Sequence, residues 1–191
     1  MSDEADQGPS RTVLFIAAGL VLLLVAGVVV AKMLLDDGTD QQAAPHGAAP
    51  RTDPLALVPV DAPAGMSPEC STLTGALPAT LTSGNTTLKQ LRIADPAPAG
   101  ALAWAGARGE PLVLRCGLSR PAELVVDSKL RQVNGVRWLP VAGTGAATWF
   151  AVDRPVYLAV TVPDDAGTGP LQEISEVAAR VLPPTPVDPN R

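Results

Sequence analysis

The sequence predicts an α+β fold: a small antiparallel sheet covered by a C-terminal helix and preceded by one transmembrane helix. Three observations carry this. Residues 12–31 contain no charged side chain, residues 112–162 read as short apolar segments separated by turn signals, and residues 170–182 carry an amphipathic helical stripe. The chain therefore divides into a cytoplasmic N-terminal segment (1–11), a transmembrane helix (12–31), a Pro/Ala-rich disordered tether (32–68), an extracytoplasmic α+β domain (69–182) and a disordered tail (183–191).

The first element follows from length and bracketing charges. Leu, Val, Ile, Phe and Ala are interrupted between 12 and 31 only by Thr12, Gly19 and Gly27. At 1.5 Å per residue these positions span about 30 Å, the hydrocarbon thickness of a bilayer. Arg11 and Lys32 flank the run and can extend to the headgroups. A cleaved export signal would place Val29 and Ala31 at the cleavage site, but its apolar core is shorter than this one and its leading region is basic. Here Asp3, Glu4 and Asp6 face Arg11 alone. Flanking charge barely decides orientation. Two cysteines and a short N-terminal segment favour a cytoplasmic N-terminus and an exported domain.

The tether carries Asp36, Asp37, Asp40, Gln41, Gln42 and prolines at 45, 50, 54, 59, 63 and 68 among alanines. Such a composition buries too little apolar surface to offset chain entropy, and as a coil it would hold its ends about 30 Å apart. After Leu182 the run Pro183, Pro184, Thr185, Pro186 ends the helix pattern.

These subtractions leave about 115 residues for a folded unit, ordinary single-domain size. The net charge of -5 is uneven: residues 1–65 hold eight acids and three bases, the remainder eleven of each. A neutral domain without a basic cluster interleaved with aromatics does not suit nucleic acid. Cys70 and Cys116 are the only cysteines, and on the exported side they are expected to form a disulfide, with two buried thiols as the alternative.

Within the domain, Leu73, Leu77 and Leu81 at four-residue spacing suggest a short helix redirected near Pro78. Leu112–Leu118 reads as a strand bringing Cys116 into the core. Asn134 and Gly135 signal a turn into a strand over 136–141, Gly143, Thr144 and Gly145 lead to a strand over 148–152, and Asp153, Arg154 and Pro155 lead to one over 156–162. Val156, Leu158, Val160 and Val162 alternate with Tyr157, Ala159 and Thr161, the pattern of a strand with one buried face. The last helix starts with Pro170 and lines up Leu171, Ile174, Val177, Ala178, Val181 and Leu182, with Glu176 four residues before Arg180 outside the stripe.

No reactive constellation emerges, so no catalytic, cofactor-binding or metal-ligating residue is nominated and no cofactor is implied. The one histidine, His46, lies in the tether. Ser119 lacks the second glycine of a nucleophile elbow. Gly143, Thr144, Gly145 lacks the lysine and strand-to-helix context of a phosphate loop. Glu110, Glu123, Asp127 and Asp153 are scattered, with no spacing that pairs them. Trp104, Trp138 and Trp149 are the candidate ligand or interface aromatics, against the plainer reading that they fill the core. Asn85, Thr86, Thr87 matches a glycosylation sequon, a pattern short enough to arise by chance.

Cys70 with Leu73, Leu77 and Pro78, then Trp104, Cys116 and Gly117, Pro121, Val136 and Trp138, and Arg154 before the 156–162 strand resemble the actinobacterial envelope proteins grouped as a domain of unknown function. The resemblance covers nearly the whole chain and implies a cell-membrane protein of a high-GC bacterium. It brings no activity, cofactor or catalytic residue. The expectation is a single-pass membrane protein, held in the bilayer through residues 12–31, whose exported domain binds another envelope component, a protein or cell-wall component, without catalysis. A small-ligand or cell-wall-polymer module and an envelope hydrolase are the alternatives.

Overall fold

The computed structural model describes residues 53–106 and 109–190. The 12–31 segment, most of the tether and His46 lie outside the described residues, and among those described no helix is long and apolar enough to cross a membrane. The fold is α+β as expected, but the sheet has eight strands, all antiparallel to their neighbours.

Helix α1 (Pro68–Ala76) precedes β1 (Thr80–Ser83), β2 (Thr86–Gln90), β3 (Ala101–Ala105), β4 (Leu112–Leu118), β5 (Arg131–Val133), β6 (Val136–Ala142), β7 (Ala146–Ala151) and β8 (Tyr157–Pro163), and α2 (Gly169–Val181) follows. The spatial order is β1-β2-β3-β4-β8-β7-β6-β5. Two four-stranded meanders thus meet through β4 and β8 at the centre. Leu112–Leu118 matches the sequence reading, and β6, β7, β8 and α2 fall within two residues of it. The β5–β6 turn has positive φ at both Asn134 (42°) and Gly135 (79°), the demand that favours Asn-Gly in a two-residue hairpin.

α2 packs against β1, β5 and β6, and so reaches the first and the last strand of the sheet order. The sheet therefore curls until both edges meet one helix. Two hydrogen bonds mark the closure: Glu173 Oε1 accepts from the Thr82 N–H on β1 at 2.8 Å, and Gln172 O accepts from Asn134 Nδ2 beside β5 at 3.1 Å. The predicted apolar stripe is the buried one, with Leu171, Ile174, Val177 and Ala178 facing the main core. Each fully buried Leu or Ile contributes about 1.5–3 kcal/mol relative to an exposed one.

The expectation that the last strand buries a single face is corrected. In β8, Leu158, Val160 and Val162 join the main core under the helices, but Tyr157 and Ala159 are buried too. The reason is topological. β5 lies at the far edge from β4, so residues 119–130 must cross the outer face of β8, β7 and β6, and Leu124 and Leu130 form a second cluster there with Leu139, Val152 and Tyr157. Val187 packs on the same cluster and the Thr185 N–H donates to Asp153 O at 2.9 Å, so this part of the expected disordered tail lies against the sheet.

The folded unit also begins earlier than residue 69. Residues 53–66, assigned by composition to the tether, form a strap along the end of β3 and β4. Leu55 makes a parallel bridge with Ile93, exchanging hydrogen bonds with Arg92 O and Ala94 N, and the Ala64 N–H donates to Gly117 O at 3.0 Å. Ser67 then caps α1, its hydroxyl accepting from the Cys70 N–H at 3.2 Å, and Pro68 supplies the preorganised first turn.

Candidate functional site

The strap end of the domain is locked at two glycines, Gly100 and Gly117. Gly117 has φ of 82° at the register shift between Cys116 and Leu118, and a Cβ there would stand 2.2 Å from the carbonyl carbon of Ala64. Gly100 (φ 69°) faces Cys116 O and Gly65 O, at 2.8 and 3.0 Å from an ideal Cβ. The shift at Gly117 also explains the two faces of β4: Leu112, Leu114 and Cys116 enter the main core, whereas Leu118 turns to the outer cluster opposite Tyr157. Cys70 and Cys116, both inaccessible to solvent, are joined by a disulfide with Cα atoms 5.6 Å apart. The bond fastens α1, directly after the strap, to a central strand.

Arg115 projects to the outer face, where its Nη2 donates to Val58 O at 2.8 Å. Its Nη1 is buried with no hydrogen-bond partner among the described residues, and burial lowers its pKa from the ordinary value. Ser119 Oγ donates to Asp61 Oδ2 at 2.7 Å, joining the strap to the 119–130 connection. Ser119 is thus a surface tie.

The opposite end carries a shallow depression of about 120 Å³, between the β1–β2 hairpin, the β3–β4 loop and the β8–α2 loop. Ser83, Thr86, Glu110 and Asp165 give it a polar lining, with Leu88 and Leu112 at its base. Ser83 Oγ donates to Ala166 O, holding the hairpin to the β8–α2 loop. Asn85 sits at the hairpin tip, exposed, beside Gly84 with φ of 56°. It is small beside a typical small-molecule site, which measures about 300–1,000 Å³.

Of the three indoles expected as ligand or interface aromatics, Trp104 and Trp138 are core residues with no exposed surface. Trp104 Nε1 donates to Pro78 O at 3.0 Å, and Trp138 Nε1 to Ser175 Oγ at 3.0 Å, while the Ser175 hydroxyl donates to Leu171 O at 2.6 Å. Trp149 is half-buried against the main core. Among the four scattered carboxylates, Glu110 reaches the depression, Glu123 and Asp127 lie exposed in the 119–130 connection, and Asp153 is buried. Among the described residues no three His, Cys, Asp or Glu side chains group as metal ligands.

The sequence treats Asp153 and Arg154 as turn residues, yet they form a buried ion pair, Nη1 to Oδ1 2.9 Å, with side chains 8% and 2% exposed. Arg154 also donates to Asp153 O and, through Nη2, to Gly135 O at 2.8 Å each. The pair ties the β7–β8 loop to the β5–β6 turn. No signal in the local sequence separates such a pair from a solvated turn.

No curated protein and no solved structure matches the chain. A protein family does: its pattern matches residues 17–187, from within the apolar run to the ordered part of the tail, and its description is protein of unknown function (DUF3515). That span takes in the strap, the disulfide pair, all eight strands and both helices, and the chain belongs to this family.

Proposed function

We propose that the protein is a single-pass membrane protein, anchored through residues 12–31, whose exported domain binds another component of the cell envelope without catalysis, a protein in the first instance. The observation that carries the reading is the buried Cys70–Cys116 bond, which belongs to an oxidising compartment. An uncharged run long enough to span a bilayer precedes the domain on the same chain.

The polar depression at the β1–β2 hairpin is the contact surface. β4 runs from the depression at Leu112 to the strap at Leu118, so the two features occupy opposite ends of the central strand. The chain enters at the strap end, leaving the depression end free to meet a partner. Its exposed rim and small volume suit a macromolecular surface better than a buried small molecule.

In-cell photocrosslinking tests this reading. A photoreactive residue at Thr86 should give a discrete, reproducible adduct in the membrane fraction, while the same residue at exposed Arg131 on β5 should not. Equal yields from both positions, or none from Thr86, would refute the assignment.

A further inference from the structure

Large apolar side chains left in solvent are few among the described residues, and they are not scattered. Val58, Val60 and Met66 are 76, 46 and 86% exposed on the strap, and Val125 and Val126 are 56 and 80% exposed on the 119–130 connection. Both segments lie over the same face of the sheet. Arg115, on the opposite side of β4 from Leu114 and Cys116, reaches Val58 O, while Leu124 packs on Tyr157 across that face. The Asp61–Ser119 hydrogen bond joins the two segments directly, and Arg120 Nη1 donates to Leu124 O at 2.8 Å, fixing the turn that presents Val125 and Val126.

We propose that this face is a second membrane contact: Val58, Val60, Val125 and Val126 lie in the headgroup zone of the bilayer that holds residues 12–31. The inference rests on the anchored reading above. The strap begins at residue 53, so only residues 32–52 separate the apolar run from it. A flexible linker of that many residues averages about 25 Å end to end in general, short enough for contact between the strap and the headgroups to be geometrically allowed. The first residues of the folded unit are also those that expose Val58 and Val60. Charge does not draw this face to anionic lipid: Asp53, Asp61, Glu123 and Asp127 outnumber Arg115, Arg120 and Lys129 by one along these segments and the strand beneath them. Partition of valine into the interface drives the contact, which is therefore indifferent to anionic lipid.

The test uses the full-length chain with methyl-labelled valine and alanine in lipid nanodiscs. One set is phosphatidylcholine alone and one includes phosphatidylglycerol, each with and without a lipid spin-labelled near the headgroup. The valine methyl signals at 58, 60, 125 and 126 should be lost with the spin label in both lipids, while exposed Ala142, at the far end of β6, keeps its signal. The double variant Val125→Ser/Val126→Ser, whose changes are confined to the surface, should restore part of the Val58 and Val60 signals. Protein that elutes apart from the discs would overturn the anchor itself. Protein that co-elutes with undiminished valine signals would overturn only the second contact, as would broadening that follows protein concentration instead of the spin label. Loss confined to phosphatidylglycerol discs would overturn the apolar mechanism.

Discussion

Replacing Gly117 by alanine tests the lock between strap and sheet. The new Cβ would meet the carbonyl carbon of Ala64 at 2.2 Å, the nitrogen of Gly65 at 2.3 Å and Ala64 O at 2.4 Å, all backbone atoms with no rotamer to change. Left-handed φ at a residue with a Cβ costs about 1–2 kcal/mol. To restore ordinary contact the strap must retreat by about 1 Å, which breaks the Ala64 N–H to Gly117 O bond, about 0.5–1.5 kcal/mol, and loosens the packing around it. These two terms come to about 1.5–3.5 kcal/mol, to which the loosened packing adds. Gly84→Ala is the matched control: φ is also positive there, 56°, but nothing lies within 4 Å of the added carbon, so only the conformational cost of about 1–2 kcal/mol applies. Urea unfolding of the full-length protein in mild detergent, with amide exchange at Leu55 and Ala64, measures both. Gly117→Ala should lower the midpoint far more than Gly84→Ala and speed exchange across the strap. Equal midpoints for the two variants would refute the close-approach argument.

Reduction of the Cys70–Cys116 bond, which spans 46 residues, should destabilise the domain by about 4 kcal/mol on the chain-entropy account, read as a drop in urea midpoint under reductant. Ser175→Ala leaves the Trp138 indole N–H without its acceptor in the core and should cost about 1–3 kcal/mol in the same assay. A cost no larger in Trp138→Phe/Ser175→Ala than in Trp138→Phe alone would support direct coupling, whereas simple additivity would deny it. Arg154→Leu strands the Asp153 carboxylate and removes the tie to Gly135, so a loss of about 3–5 kcal/mol is expected, partly recovered when Asp153→Asn is added. Thermal unfolding of the single and double variants would show whether recovery occurs.

Strands with several apolar or aromatic residues, bounded by turn chemistry, were legible. Leu112–Leu118, the Asn134-Gly135 hairpin and the stripe of α2 follow from side-chain period and backbone preference, which act over a few residues. β1 and β2 were not. Each buries a single leucine, Leu81 or Leu88, among threonines and other polar residues, and one apolar position has no period. β3, with the sequence Ala-Leu-Ala-Trp-Ala, suits helix and strand alike until β2 and β4 flank it. β5 has three residues and becomes a strand because the tight hairpin aligns it with β6.

The candidate surfaces were less visible than the fold. Thr86 and Glu110 are 24 positions apart and share the depression only because two hairpin ends of the sheet coincide in space. The sequence raised Trp104 and Trp138 as candidates for binding since an indole serves core and groove equally well. Their burial follows from the sheet curling around α2, an event that neither residue's neighbours record.

By itself the sequence determined the α+β class, the apolar run, the central strand and the cysteine pair, because composition, period and turn residues constrain the chain locally. Only the tertiary structure decided that both edges of the sheet close on α2, that Asp153 and Arg154 pair in the interior, and that residues 53–66 are strap and not tether. Those outcomes depend on backbone meeting backbone across long separations, as where Gly117 admits Ala64, and a glycine's missing side chain carries no label for the segment that will fill its place.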